Sequence, residues 1–175
     1  MIKRGDLFNK SAYYGILILG VFLLQSTLGD IIRIKGIAPN LLFCIIICAG
    51  AFESELFATI ISFASGFVVD SYSERIFGLI LMLYTVGGYI NAHLFKAYIR
   101  LSLQNICVMT MACVFLYELF VYMAFFFTAF NASFGMTVVT KMLPAALYSG
   151  VAVVPFFFVA RFVNRQTVDE EEKEF

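Results

Sequence analysis

Six apolar segments, separated by short polar connections, limit what this chain can fold into. They span residues 12–28, 39–52, 56–69, 76–92, 103–130 and 142–163. Hydrophobic residues make up 62% of the chain and charged residues 14%, whereas soluble proteins average about 45–50% and about 25%. The pattern predicts an all-α membrane protein with six transmembrane helices. We expect residues 1–165 to form one domain and residues 166–175 to form a flexible acidic cytoplasmic tail.

The second and third segments are short for helices that cross a bilayer. Crossing about 30 Å of hydrocarbon takes about 20 apolar residues, and the second segment offers about 14 before Glu53. Only residues 53–55 separate the two segments, which predicts a tight antiparallel hairpin in thinned bilayer or inside protein. A single interrupted helix or a re-entrant pair is the alternative. We expect Pro39 in the first turn of the second helix.

The third segment carries small residues and one acid at four-residue steps along a single helix face. This ridge consists of Ala58, Ser62, Gly66 and Asp70. The fourth segment has a small-residue stripe of its own, interrupted only by Leu81, at Gly78, Thr85, Gly88 and Ala92. Small residues let transmembrane helices approach closely. We therefore expect the ridge to pack tightly against the fourth helix or against the transmembrane helix of a partner protein.

Asp70 ends the ridge and allows three interpretations. It is a boundary residue that reaches interfacial water, since a carboxylate costs less at a helix end than at the bilayer centre. Alternatively it pairs with Arg75 or with a group on another helix and fixes the turn between the third and fourth helices. The third interpretation is a ligand for a transported ion.

Glu118 lies about halfway through the fifth apolar segment, with Tyr117 and Tyr122 close by. A charge at that depth needs a partner, water or a protonated state. The residue is therefore either protonated and hydrogen-bonded to a tyrosine, part of a polar cavity or helix contact, or part of a proton or ion path. We take these three residues as candidates for a polar cavity.

The remaining reactive residues predict no catalytic or metal chemistry. All four cysteines lie inside apolar segments, where cysteine packs as a small hydrophobic residue, and they are Cys44, Cys48, Cys107 and Cys113. His93 adjoins Lys96 and Arg100 in a stretch predicted as a loop with an interfacial helical turn, so we expect it at the membrane interface rather than at a metal. The sequence holds none of the common catalytic motifs, and we expect neither enzyme activity nor a cofactor.

The basic residues predict which way the chain crosses the membrane. With six spans, eight of the 12 lysines and arginines fall on the side of the termini. That excess favours termini in the cytoplasm. We expect the first apolar segment to be retained as a helix, with a cleaved signal peptide as the alternative. The formal net charge of zero suggests no nucleic-acid partner.

The block of residues 36–95 resembles the family of the rod shape-determining protein MreD. The similar features are Ala-Pro-Asn-Leu-Leu at residues 38–42, a short apolar helix, a connection with acids, Gly-Phe-Val-Val-Asp ending at Asp70, and Gly78 leading to Val-Gly-Gly-Tyr at residues 86–89. Two positions depart from the family pattern. Asn40 stands where the family often has aspartate, and Phe67 stands where leucine commonly follows the glycine.

The resemblance implies a non-enzymatic subunit of the cell-elongation machinery in the bacterial inner membrane, supporting peptidoglycan synthesis and cell shape. Members of this family associate with the bitopic protein MreC and, through it, with RodA, a class B penicillin-binding protein and MreB. The family is also similar in fold to the substrate-binding components of energy-coupling-factor vitamin transporters, which gives the alternative function. Expected helix-packing or partner-binding residues are Pro39, Asn40, Ala58, Ser62, Gly66, Asp70, Arg75, Gly78 and Gly88.

Overall fold

The computed structural model describes residues 4–27, 37–72, 78–126 and 134–173, with side chains for residues 10–27, 37–72, 78–124 and 135–162. Its helices are α1 (Arg4–Thr27), α2 (Leu41–Phe52), α3 (Glu55–Tyr72), α4 (Leu79–Ala97), α5 (Leu103–Phe126), α6 (Phe134–Thr137) and α7 (Leu143–Lys173). A π-helical turn, Val138–Met142, joins α6 to α7 without a break. The described residues thus form six helical segments, and the predicted all-α architecture is confirmed.

Helix α2 lies at the centre of the bundle. It contacts α1, α3, α4, α5 and α7, and every residue from position 41 to position 50 is buried. Twelve residues rise only about 18 Å along a helix axis, well short of about 30 Å of hydrocarbon. Because other helices surround it, α2 need not match the bilayer thickness on its own.

Helices α2 and α3 run antiparallel, as the predicted hairpin requires. Helix α4 runs parallel to α2, since Phe43 meets Tyr84 near their starts and Gly50 meets Ala92 near their ends. The same helix runs antiparallel to α3, since Gly66, late in α3, meets Tyr84, early in α4. With only two residues between α2 and α3, the chain reverses in a tight turn.

Two predicted boundaries of these helices are wrong. Asn40 is the N-cap of α2, and the helix begins one residue later, so Pro39 precedes the helix instead of lying in its first turn. Helix α4 continues to Ala97, and it therefore includes His93 and Lys96, which were predicted in a loop. Both side chains are exposed at the end of α4, so their polar groups can stay in water while the backbone remains helical.

The last helical segment begins earlier than predicted and contains a π-helical turn. The N–H of Leu143 bonds to the carbonyl of Val138, five residues back. Pro144 follows and has no N–H to donate, so the wider turn comes where regular α-helical bonding loses a donor. Helix α7 runs through Pro155 to Lys173, so most of the predicted acidic tail has helical backbone. The flexibility of that tail stays a prediction.

Two helical stretches of the described chain are long and apolar enough to cross a membrane. They are Leu103–Ala124 and Gly135–Phe162, and the shorter Leu41–Phe52 is also apolar. Six such spans were predicted. Helices α3 and α4 end in charged or polar residues such as Asp70 and Lys96, which lower the mean hydropathy of the whole helix.

Candidate functional site

A partly buried polar junction joins three helices at the start of α2. It consists of Asn40, Tyr84 and Ser149. The side-chain oxygen of Asn40 accepts hydrogen bonds from the Tyr84 hydroxyl at 2.9 Å and from the N–H of Phe43 at 3.1 Å. The backbone N–H of Asn40 donates to the Ser149 hydroxyl at 3.0 Å. One residue therefore caps α2 and fixes its position against α4 and α7.

Aromatic rings extend the polar junction towards α5. The ring of Tyr84 meets those of Phe43 and Tyr117 at centroid distances of 4.8 Å and 5.6 Å. Tyr117, one of the three residues proposed to line a polar cavity, thus contacts the junction. Glu118 follows it in the chain and is half-buried. Tyr122 lies further along α5 and is half-buried.

The small-residue ridge of α3 packs against α4. All four ridge residues are buried, and a Cβ atom built on Gly66 lies 2.8 Å from the Cβ of Tyr84 and 3.1 Å from the Cα of Leu81. A Cβ atom built on Gly88 meets the Ser62 side chain more closely still, and it lies 3.1 Å from the Cγ2 of Ile46. The neighbour of the ridge is therefore α4 of the same chain. A partner helix has no access to this face of α3.

A second close contact, between α2 and α4, was missed from the sequence. Gly50 lies against Asn91 and the backbone of Ala92. The amide nitrogen of Asn91, a fully buried residue, donates to the carbonyl of Ile47 at 3.2 Å. The sequence did contain a signal for this contact. Asparagine inside an apolar segment needs a hydrogen-bonding partner, and a glycine on another helix lets the two backbones come close enough to provide one.

Asp70 ties the end of α3 to the start of α4. Its carboxylate accepts a hydrogen bond from the backbone N–H of Gly78, the N-cap of α4. Gly78 has a φ of 96°, a conformation that favours glycine. Asp70 is 1% exposed, so it is a buried helix connector and not a boundary residue in water. Arg75, its proposed partner, lies outside the described residues.

Charged groups pair across helices at the opposite end of the bundle. This charged end consists of Lys10, Tyr14, Glu53, Glu55 and His93. Glu53 accepts from the Lys10 ammonium and from the Tyr14 hydroxyl, both at 3.3 Å. The imidazole of His93 lies 3.5 Å from the Glu55 carboxylate. The sequence did not reveal these pairs, because Lys10 and Glu53 are 43 residues apart.

The polar groups of these sites hold helices together. Among the described residues, no three His, Cys, Asp or Glu side chains come close enough to hold a metal ion. The four cysteines are free thiols, and the Cys44 sulfur contacts the carbonyls of Asn40 and Ser149 at 3.3 and 3.4 Å. In the polar junction and at the charged end, each bond described joins groups on different helices or caps a helix.

A sequence model of one family, described as the rod shape-determining protein MreD, matches residues 9–166. No curated protein sequence and no solved structure matches the chain. The expected likeness to the substrate-binding components of vitamin transporters therefore receives no support from solved structures.

Proposed function

Because the chain belongs to the MreD family of rod shape-determining membrane proteins, we propose that it is a multi-pass subunit of the bacterial cell-elongation machinery. In this role it binds an MreC-like bitopic protein and, through that protein, acts with RodA, a class B penicillin-binding protein and MreB. Its contribution to peptidoglycan synthesis is that of a scaffold. MreD proteins determine cell shape and are not known as enzymes.

The observation that carries the scaffold role is that polar side chains form bonds between helices. Asn40 joins α2 to α4 and α7, Glu53 joins the α2–α3 turn to α1, and Asp70 joins α3 to α4. Bonds of this kind hold a helix bundle in one arrangement. A rigid bundle is suited to presenting a fixed surface to a partner.

The arrangement of the helices supports an orientation with both termini in the cytoplasm. Helices that follow one another in the chain alternate in direction. The starts of α1 and α5 and the end of α4 therefore belong to the same end of the bundle. Lys10, Lys96, Arg100 and Arg161 belong to that end, and basic residues are enriched on the cytoplasmic side of membrane proteins. In this orientation Asp70 and the polar junction belong to the periplasmic half.

Co-purification tests the proposed partner. The full chain, tagged at one terminus, is co-expressed with the MreC-like protein of the same bacterium and extracted in mild detergent, with an unrelated single-pass membrane protein as control. We expect the MreC-like protein to be retained and the control protein to be lost. Depletion of the chain should also turn rod-shaped cells round.

Two results would overturn the proposal. If the MreC-like protein is lost during purification together with the control protein, the chain does not bind an MreC-like partner. Retention of a small molecule together with an ATPase module would support a vitamin-binding transporter component in its place.

A further inference from the structure

A cavity of about 340 Å³ opens at the charged end of the bundle, away from the polar junction. Phe52, at the end of α2, and Phe157, on α7, form its inner wall, with ring centroids 5.6 Å apart. Leu101 and Phe158, more than half exposed, form its outer rim. The cavity therefore reaches from the helix core to the outer surface of the bundle.

The lining of this cavity is apolar except for two side chains, Ser102 and Arg161. Among the side chains that the structure describes, none of those lining it is a carboxylate. Within the described side chains, no acid lies at ion-pair distance from Arg161, whereas Lys10 and His93 at the same end each have a carboxylate partner. Arg161 is exposed, so its guanidinium can be reached by an anion from outside the protein.

The position of the cavity in the bundle adds a second constraint. Phe52 directly precedes Glu53, and Lys96 and Arg100 belong to the same end, so the cavity lies where the helices pass from hydrocarbon to the polar interface. An occupant there needs an apolar part for the phenylalanine wall and an anionic part for Arg161. A free anion leaves the apolar wall uncovered, and a lipid without net charge leaves the positive charge of Arg161 uncompensated.

We propose that this cavity binds an anionic phospholipid from the leaflet on the side of the chain termini. The phosphate accepts hydrogen bonds from the Arg161 guanidinium and the Ser102 hydroxyl, and the first part of one acyl chain lies against Phe52 and Phe157. The proposal rests only on the membrane location of the protein. It stands or fails independently of any MreC-like partner.

Lipid titration of the delipidated full-length protein tests this site. Native mass spectrometry measures the lipid-bound fraction at increasing phosphatidylglycerol or phosphatidylcholine. We expect phosphatidylglycerol to bind about fivefold more tightly, which corresponds to one basic side chain near a lipid surface. Arg161→Gln should lower the affinity for phosphatidylglycerol to that for phosphatidylcholine, and Arg161→Lys should keep most of the preference.

Two further variants separate the cavity from the general basic surface. Arg100→Gln removes an exposed arginine at the same end that does not line the cavity, and it should leave the preference unchanged. Ser102→Leu narrows the cavity and removes its hydroxyl without removing charge, and it should weaken binding of both lipids. If Arg161→Gln fails to fold, Arg161→Lys and Ser102→Leu decide the question.

Four results would overturn the proposal. They are equal binding of the two lipids by the unaltered protein, an equal loss with Arg100→Gln, unchanged lipid binding in Ser102→Leu, and complete displacement of phosphatidylglycerol by inorganic phosphate at the same concentration. The last result would identify a site for a free anion.

Discussion

Helices α2 and α3 are the two arms of one hairpin, yet they are buried in opposite ways. In α2, ten consecutive residues are buried. In α3, only one face is buried, formed by the ridge together with Ile61 and Ser65, while Leu56, Ile60 and Phe67 are at least half exposed on the other face. One arm is therefore packed on all sides, and the other on one side only.

The difference shows what hydropathy can and cannot reveal in a membrane protein. A soluble helix shows its buried face by apolar residues, because the other face is polar. In a bilayer both faces are apolar, so the size of the side chains becomes the visible signal. The small residues of α3 mark its contact with α4, whereas the large apolar residues of α2, such as Ile45, Ile46 and Ile47, look the same facing protein or lipid.

The largest expected effect comes from truncating a buried residue of α2. Ile46 is fully buried at the centre of the bundle. Ile46→Ala should lower the free energy of unfolding by about 3–4 kcal/mol, since neighbouring helices cannot collapse fully onto the cavity. The measurement is unfolding of the purified protein by a denaturing detergent, followed by circular dichroism.

Ile60 provides the matched control on α3, because it is 57% exposed on the outward face. Ile60→Ala should change stability little, since lipid or detergent takes the place of the lost atoms. Equal losses in the two variants would mean that α2 and α3 are buried alike, contrary to the comparison.

The second effect concerns the ridge of α3. Gly66→Leu places a side chain against Tyr84 and the backbone of Leu81, and backbone cannot move aside as a side chain can. We expect a loss of about 2–3 kcal/mol and a failure to form the complex with the MreC-like protein. Gly20→Leu is the control, because nothing lies within 4 Å of a Cβ at Gly20. An unchanged complex with Gly66→Leu would remove the close-packing requirement.

Much of this fold could be predicted from the sequence. The six helical segments follow from six apolar runs, and the tight α2–α3 hairpin follows from the three residues between two short runs. The positions of Gly66 and Gly88 in a close helix contact follow from their spacing. These features are local, and local patterns are what a single sequence carries.

The long-range polar pairs could not be predicted in the same way. Tyr84 bonds to Asn40, 44 residues away, and Ser149 bonds to the same residue across 109 positions. Nothing in the composition of α4 or α7 specifies which buried polar group each one meets. The Asn40 site was a candidate from the family resemblance, but its two partners became visible only when the helices were packed.

The third prediction tests the polar junction at the start of α2. Asn40→Ala removes the cap of α2 and the acceptor of the Tyr84 hydroxyl, and should lower stability by about 1–2 kcal/mol. Tyr84→Phe should cost less, because Asn40 still caps the helix. Asn105→Ala, near the exposed start of α5, is the control and should cost less than Asn40→Ala. A larger loss of stability in Asn105→Ala than in Asn40→Ala would mean that the polar junction is not a main source of stability.

The smallest effect on stability is expected at the end of α3. In Asp70→Asn, the side-chain oxygen can still accept from the N–H of Gly78, so the free energy of unfolding should fall by only about 0.5–1 kcal/mol. The variant should still insert into the membrane. Because the substitution removes the charge at the connection between α3 and α4, we expect a reduced yield of the complex with the MreC-like protein.

Glu55→Gln is the matched control for this variant, since it makes the same carboxylate-to-amide change at the other end of α3. The Glu55 carboxylate pairs with His93 on an exposed surface, where an ion pair contributes about 0–1 kcal/mol, and the proposed orientation places it in the cytoplasm. Its complex yield should match that of the unaltered protein. A normal yield with Asp70→Asn, or an equal reduction with Glu55→Gln, would show that the two ends of α3 do not differ in partner binding.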